Sequence, residues 1–179
     1  MNNLVCNGIN IKFLNDVYVR ELMIWQLRIA EKIPELKFKI CGAADTQLQK
    51  IVLDGIKRKA AEIGLSNVEF HSNLSTSDLK KLLHSSKYFL HTMKNEDFGI
   101  AVCEAIASGC IPIVHDSGGP REIVTNRVLR FTTIQEAVNI IRKCEEGYPM
   151  DSMRKALLER IFMFSEQHFQ ERLLKLIWL

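Results

Sequence analysis

The sequence predicts an α/β domain built on a doubly wound parallel sheet, and three observations carry that assignment. Apolar runs of strand length alternate with amphipathic runs of helix length along most of the chain. Glycines, prolines and capping residues separate nearly every pair of runs. With 179 residues, 47% of them apolar, the chain matches about one globular domain.

The elements follow in order. Ile11 to Leu14 is a short strand candidate, and Val17 to Ile33 is an amphipathic stretch that Pro34 ends. Leu36 to Cys41 alternates as a strand and stops at Gly42. Thr46 to Ile63 has helical spacing, with Gly64 placed to close it in a left-handed cap. Val68 to His71 is a strand, Ser75 or Thr76 caps a helical run, and Tyr88 to Met93 is a buried strand. A polar turn then leads into a helix from Gly99 to Ser108 that Gly109 terminates, followed by a strand from Ile111 to His115. Ser117 to Pro120 is a loop feeding a short helix, and Val128 to Phe131 is an edge strand. Thr133 to Glu146 and Asp151 to Leu179 read as closing helices. Strict alternation implies right-handed crossovers with helices on both faces, a Rossmann-like arrangement that binds ligands at the carboxyl ends of its strands.

Composition excludes several function classes. The 24 basic and 21 acidic residues are interspersed, and Lys57, Arg58 and Lys59 are offset by Asp54 and Glu62, so no surface for nucleic acid or lipid headgroups is expected. No run approaches the ~18 apolar residues of a membrane span, and the first residues lack the pattern of a secretory signal. Cys6, Cys41, Cys103, Cys110 and Cys144 have neither C-x-x-C spacing nor paired histidines, and His71, His84, His115 and His168 share no metal-like spacing. The expectation is a cytoplasmic protein with reduced, buried thiols, no metal site and no disulfide framework.

Three loops at the carboxyl ends of strands have unusual composition: Ser72 to Leu74, Lys94 to Gly99, and Asp116 to Pro120. In the middle one Glu96 and Asp97 precede Phe98 and Gly99, after which a nearly apolar helix carries a single charge, Glu104. Gly99 permits close approach to the backbone, and the free amides of a first helical turn favour an anion. Glu104 has two readings, a grip on ligand hydroxyls or an ion pair with a neighbouring helix. His91 either lines this pocket or sits at the edge of the core, while Trp25 and the methionines belong to the core.

The segment from Phe70 to Val124 resembles the nucleotide-binding half of the retaining GT-B glycosyltransferases of glycosyltransferase family 4, group 1. The shared features are Glu96 and Glu104 with seven residues between them around Phe98-Gly99, the helix end from Glu104 to Gly109, and the Gly-Gly-Pro-x-Glu loop from Gly118 to Glu122. Within that family, HTMKNEDFGI at 91–100 is similar to lipid-linked oligosaccharide mannosyltransferases.

The resemblance implies roles position by position. Glu96 is the catalytic position, against the donor sugar, and the amides of Phe98, Gly99 and Ile100 face the sugar and diphosphate. Glu104 holds the ribose hydroxyls, Ser72 to Leu74 meet the base, and Gly118 and Gly119 form a loop near the donor pocket that Glu122 organises. The activity implied is transfer of a hexose, mannose in the finer match, from a GDP- or UDP-linked donor to a hydroxyl of a glycan or glycolipid, with retention and without a metal. A GT-B-like sugar-nucleotide epimerase is a weaker member of the same set.

The sequence also departs from the family pattern. Two cations, arginine and lysine, are expected in the loop after the first strand, and registering Gln26 to Ala30 against the following helix sets Asp16 and Glu21 in their places, with Arg20, one position away, as the candidate that substitutes for them at the diphosphate after a small slip in register. Removing one such contact to a leaving group costs ~10²–10³ in rate. A GT-B enzyme also has two α/β domains, and residues 1–179 correspond to the second, C-terminal type, without the N-terminal acceptor domain. The open readings are a fragment, a subunit joined by a separate acceptor-binding chain peripheral to a membrane, or a catalytically degenerate binding or assembly module. Phe162, Phe164, Phe169 and Trp178 in the C-terminal stretch either pack toward a first domain or cap the sheet.

Overall fold

The structure, a computed structural model, describes residues 3–7 and 16–177, and within them the side chains of residues 4, 5 and 23–177. Six parallel strands, β1 (Asn3–Asn7), β2 (Lys37–Gly42), β3 (Val68–Ser72), β4 (Tyr88–His91), β5 (Ile111–His115) and β6 (Arg130–Phe131), form one sheet in the order β3-β2-β1-β4-β5-β6. The chain builds outward from β1 to β3 and then returns to the other side of β1, so the order reverses between β1 and β4. That junction is the switch point at which such sheets open a ligand crevice.

The helices are α1 (Asp16–Lys32), α2 (Gln47–Glu62), α3 (Thr76–His84), α4 (Ile100–Ala107), α5 (Pro120–Ile123), α6 (Ile134–Glu145), α7 (Met150–Phe162) and α8 (Glu166–Ile177). α1 touches α2 and α6, whereas α4 touches α5 and α7. Right-handed crossovers place these two groups on opposite faces of the sheet. Every residue of β4 and β5 is therefore buried, which explains why both strands read as continuous apolar runs.

Local chemistry sets the boundaries. Thr46 Oγ1 accepts the Gln49 amide at 3.2 Å while Gln49 Oε1 accepts the Thr46 amide at 3.0 Å, a reciprocal cap that starts α2. Thr133 and Glu136 do the same for α6, and Ser75 caps α3 through the Asp78 amide. Pro112 lies inside β5 without breaking the ladder. The Ile111 amide donates to Lys87 O on the β4 side, so the next amide position faces the other side, where β6 pairs only from Val114 onward.

Three expectations change. The first strand is Asn3–Asn7, whereas the candidate at Ile11 to Leu14 lies outside the described residues. Strand β1 has only three apolar residues between asparagines, too few for an alternation, yet Leu4 and Val5 are buried between β2 and β4. α1 begins at Asp16, so Asp16 and Glu21 stand in its first turns. The side chains of Asp16, Arg20 and Glu21, and all of Trp178, lie outside the described residues.

The stretch from Asp151 onward is two helices. Arg160 donates from Nε and Nη2 to Glu122 O at 3.0 and 2.7 Å, fixing the end of α7, and Ser165 Oγ accepts the His168 amide at 3.3 Å to begin α8. No residue of α8 is buried, so it does not cap the sheet. Among the described residues no helix is long and apolar enough to cross a membrane.

Candidate donor site at the carboxyl rim

The turn after β4 and the loop after β5 are built as one unit. Ser117 Oγ accepts the Asn95 amide at 2.9 Å and lies 2.8 Å from His115 Nδ1, and the Gly119 amide donates to Glu96 O at 2.7 Å. A β-carbon at Gly118, whose φ is +63°, would stand 2.4 Å from Glu96 O, and one at Gly119 would stand 2.3 Å from Asp97 O. Backbone lies directly on backbone here, which only glycine allows. The loop is organised by these contacts. Glu122, expected to do so, is exposed, and its side chain makes no hydrogen bond or ion pair among the described residues; its carbonyl is what Arg160 binds.

The result is an open pocket of about 630 Å³ lined by Asn95, Glu96, Asp97, Gly118, Gly119, Arg121, Glu122 and Arg130. Arg121 Nε and Arg130 Nη1 each lie 3.3 Å from Asp116 Oδ1, and the Arg130 side chain is only 9% exposed. These cations escaped the sequence reading. Arg121 sits within the Gly-Gly-Pro-x-Glu motif at its variable position, and Arg130 belongs to a strand too short to stand out.

Glu96 is held from inside the sheet. His91, at the end of β4 and fully buried, places Nε2 2.5 Å from Glu96 Oε2, a contact whose angles fall outside those of an aligned hydrogen bond. His91 thus does not line the pocket itself. Burial first, and then the Lys94 charge, hold the neighbouring His115 below the ordinary histidine value. Lys94 Nζ lies over the Trp25 ring at 4.5 Å, and Trp25 meets His115 edge-on at 6.0 Å.

α4 starts at the same place. Gly99 precedes it with φ of 106°, and a β-carbon there would meet Pro120 and Ile123 of α5 at 3.2 and 3.3 Å, so the helix start is pinned against the glycine loop. Among the described residues no acceptor reaches the amides of Ile100 or Ala101. They are donors available to an anion. Phe98 is half-exposed and meets Phe164 edge-on at 5.4 Å, a contact that leaves Phe164 partly buried.

Glu104 lies one turn further along the face that carries Ile100, which is 66% exposed. Its side chain is exposed and pairs with no lysine or arginine among the described residues, so the ion-pair reading is not supported. Burial, then the Glu104 charge, raises the adjacent Cys103 thiol. The other described thiols are free and buried, with Cys41 and Cys110 pushed up to about 12 by burial.

Ser72 and Leu74 form a second cluster on the same rim. Ser72 ends β3 and lines a small cleft of about 30 Å³ with Gly42, Ala43 and Gln49, while Leu74 packs on the core. Asn73, at φ of 55°, ties the two strand ends together: its amide donates to Gly42 O at 3.0 Å and its Oδ1 accepts the Ala44 amide at 2.7 Å. Among the described residues no group of three His, Cys, Asp or Glu is placed to hold a metal ion.

The family model described as glycosyl transferases group 1 matches residues 21–159. The chain is 32% identical over 148 residues to the GDP-Man:Man(3)GlcNAc(2)-PP-Dol alpha-1,2-mannosyltransferase of Dictyostelium discoideum, covering 79% of this chain and 29% of that protein. To the mouse protein of the same name it is 31% identical over 159 residues, covering 80% and 31%. The chain therefore spans under a third of the length of these relatives. Among solved structures, a glycosyltransferase from Rickettsia africae superposes with a TM-score of 0.75 at 15% identity, covering 98% of this chain and 47% of that one. The C-terminal domain of a glycosyl transferase group 1 family protein from Francisella tularensis gives 0.70 at 14% identity, covering 90% and 85%. These structures share the fold.

Proposed function

This chain belongs to the glycosyl transferases group 1 family, and from that premise we propose that it is the donor-binding half of a retaining mannosyltransferase that uses GDP-mannose. One observation carries the proposal. The pocket that receives Glu96 also carries the cations Arg121 and Arg130, and Glu96 stands four residues before α4, whose first amides have no acceptor among the described residues. A carboxylate for sugar hydroxyls beside amides and guanidinium groups for phosphate is the donor set a sugar diphosphate needs.

The rim fits the rest of the ligand. From Ser72 at the end of β3 to β4 is three strand spacings, roughly 14 Å at ~4.8 Å each. That is the order of length of an extended nucleoside diphosphate. The base lies toward Ser72, Glu104 takes the ribose hydroxyls, and the mannose lies against Glu96. In the reaction the bond from mannose C1 to the diphosphate oxygen breaks and a bond from C1 to an acceptor hydroxyl oxygen forms on the same face. The hydroxyl proton leaves toward the GDP product. Charge developing on the diphosphate is met by α4 amides and arginines, so no bound metal enters the proposal.

The acceptor is a lipid-linked oligosaccharide, as the names of the relatives suggest, and it meets the rim from a second domain or subunit. Calorimetry of this protein against GDP, UDP and ADP tests the donor reading. Binding of GDP in preference to UDP and ADP is the expected outcome, and no heat with any of the three overturns it.

A further inference from the structure

We propose that His91 is a positioning residue for the donor sugar and acts through Glu96; this rests on the reading of Glu96 as the carboxylate facing the sugar. His91 ends β4 with 0% exposure and its Nε2 reaches Oε2 of Glu96 at 2.5 Å. That oxygen is itself buried, although the Glu96 side chain as a whole is 23% exposed and lines the pocket. The histidine therefore holds the carboxylate by its inner oxygen and leaves the rest of the group facing the ligand.

The ring has little freedom of its own. It stacks on Phe89 with centroids 6.1 Å apart and planes 16° apart, in a strand paired on both sides, with His91 opposite Val114 of β5. A leucine would fill such a core position without the desolvation of two ring nitrogens. What the imidazole adds is a fixed partner for Glu96, a side chain on an open turn with three rotatable bonds. Contacts of this kind are often poorly aligned before the ligand arrives and tighten in the complex. Ordering the carboxylate in advance lowers what sugar binding must order.

The test compares GDP with GDP-mannose on this protein, by calorimetry. Wild type is expected to bind both, with the sugar adding affinity. His91→Leu is expected to weaken GDP-mannose about 10-fold, the size of one hydrogen bond to a charged group, and to leave GDP unchanged. His91→Gln, whose amide nitrogen takes the place of Nε2, recovers most of that loss. Equal losses for GDP and GDP-mannose, or no loss for GDP-mannose, overturn the proposal. Should His91→Leu fail to fold, the 15N resonances of the His91 ring are compared between wild type and Glu96→Gln. A shift confined to the ring supports the contact, and none overturns it. Wild type that binds no GDP overturns the nucleotide reading and this proposal together, whereas GDP binding without discrimination by His91→Leu removes His91 alone.

Discussion

The α-carbon of Gly119 faces the carbonyl of Asp97 so closely that an added β-carbon would lie 2.3 Å from that oxygen. Neither partner is the far end of a flexible side chain, so Gly119→Ala must push the glycine loop off the turn that carries Glu96. A loss of about 1–3 kcal/mol is expected, together with loss of nucleotide binding. Gly64→Ala is the comparison, since that site has φ of +71° but open space around it. Backbone strain alone costs it about 1–2 kcal/mol, and GDP binding is retained. Thermal denaturation and calorimetry on the two variants separate the effects.

Glu104 is exposed and unpaired among the described residues, so its removal should be silent for folding. Glu104→Ala is expected to leave the melting temperature unchanged while weakening GDP about 10-fold, through loss of charge-assisted bonds to the ribose. Deoxyribose analogues of GDP should then bind the variant and wild type alike. A variant that binds GDP as tightly as wild type would remove Glu104 from the site.

Arg121 is half-exposed beside Asp116 and lines the pocket with Glu96. Arg121→Ala is expected to lower GDP affinity about 5-fold at low salt, less at high salt because an exposed cation is screened. Titrations at two ionic strengths give the answer. A salt-independent loss would mean that the arginine shapes the loop and makes no direct contribution to charge.

Glu145 supplies a pH dependence. Burial pushes its carboxyl up, but hydrogen bonds from Lys87 and Tyr88 and the Lys87 charge outweigh that and hold it below the ordinary glutamate value. Its Oε1 lies 2.6 Å from Lys87 Nζ and 2.5 Å from Tyr88 Oη. A depressed carboxylate contributes stability that is complete above its unfolded value and lost as pH falls through the folded one. Lys87→Met is therefore expected to destabilise the protein at neutral pH and to flatten the acid limb below pH 4.5. Urea midpoints from pH 3 to 7 check the sign, with the flattening on the acid side of the ordinary glutamate value.

The fold was legible wherever local signals agreed. Thr46 with Gln49, Thr133 with Glu136, and the buried runs of β4 and β5 each mark an element without knowledge of its neighbours. β1 was not legible, because Asn3–Asn7 is a strand only by virtue of β2 and β4 on either side. The break at Met163 to Ser165 was hidden for a related reason. Arg160 finds Glu122 O and Phe164 finds Phe98, and both partners are distant in sequence.

By itself the sequence determined the α/β class, the rim on which the candidate site residues gather, and the spacing of Glu96 and Glu104 around Phe98-Gly99, because these depend on periodicity, capping and spacing along one stretch of chain. Tertiary structure decided which groups meet. It set His91 against Glu96, Gly118 and Gly119 on the backbone of the neighbouring turn, and Arg121 and Arg130 on Asp116. Those contacts come from separate strands laid side by side, and no local pattern encodes a distance between residues that only the sheet brings together.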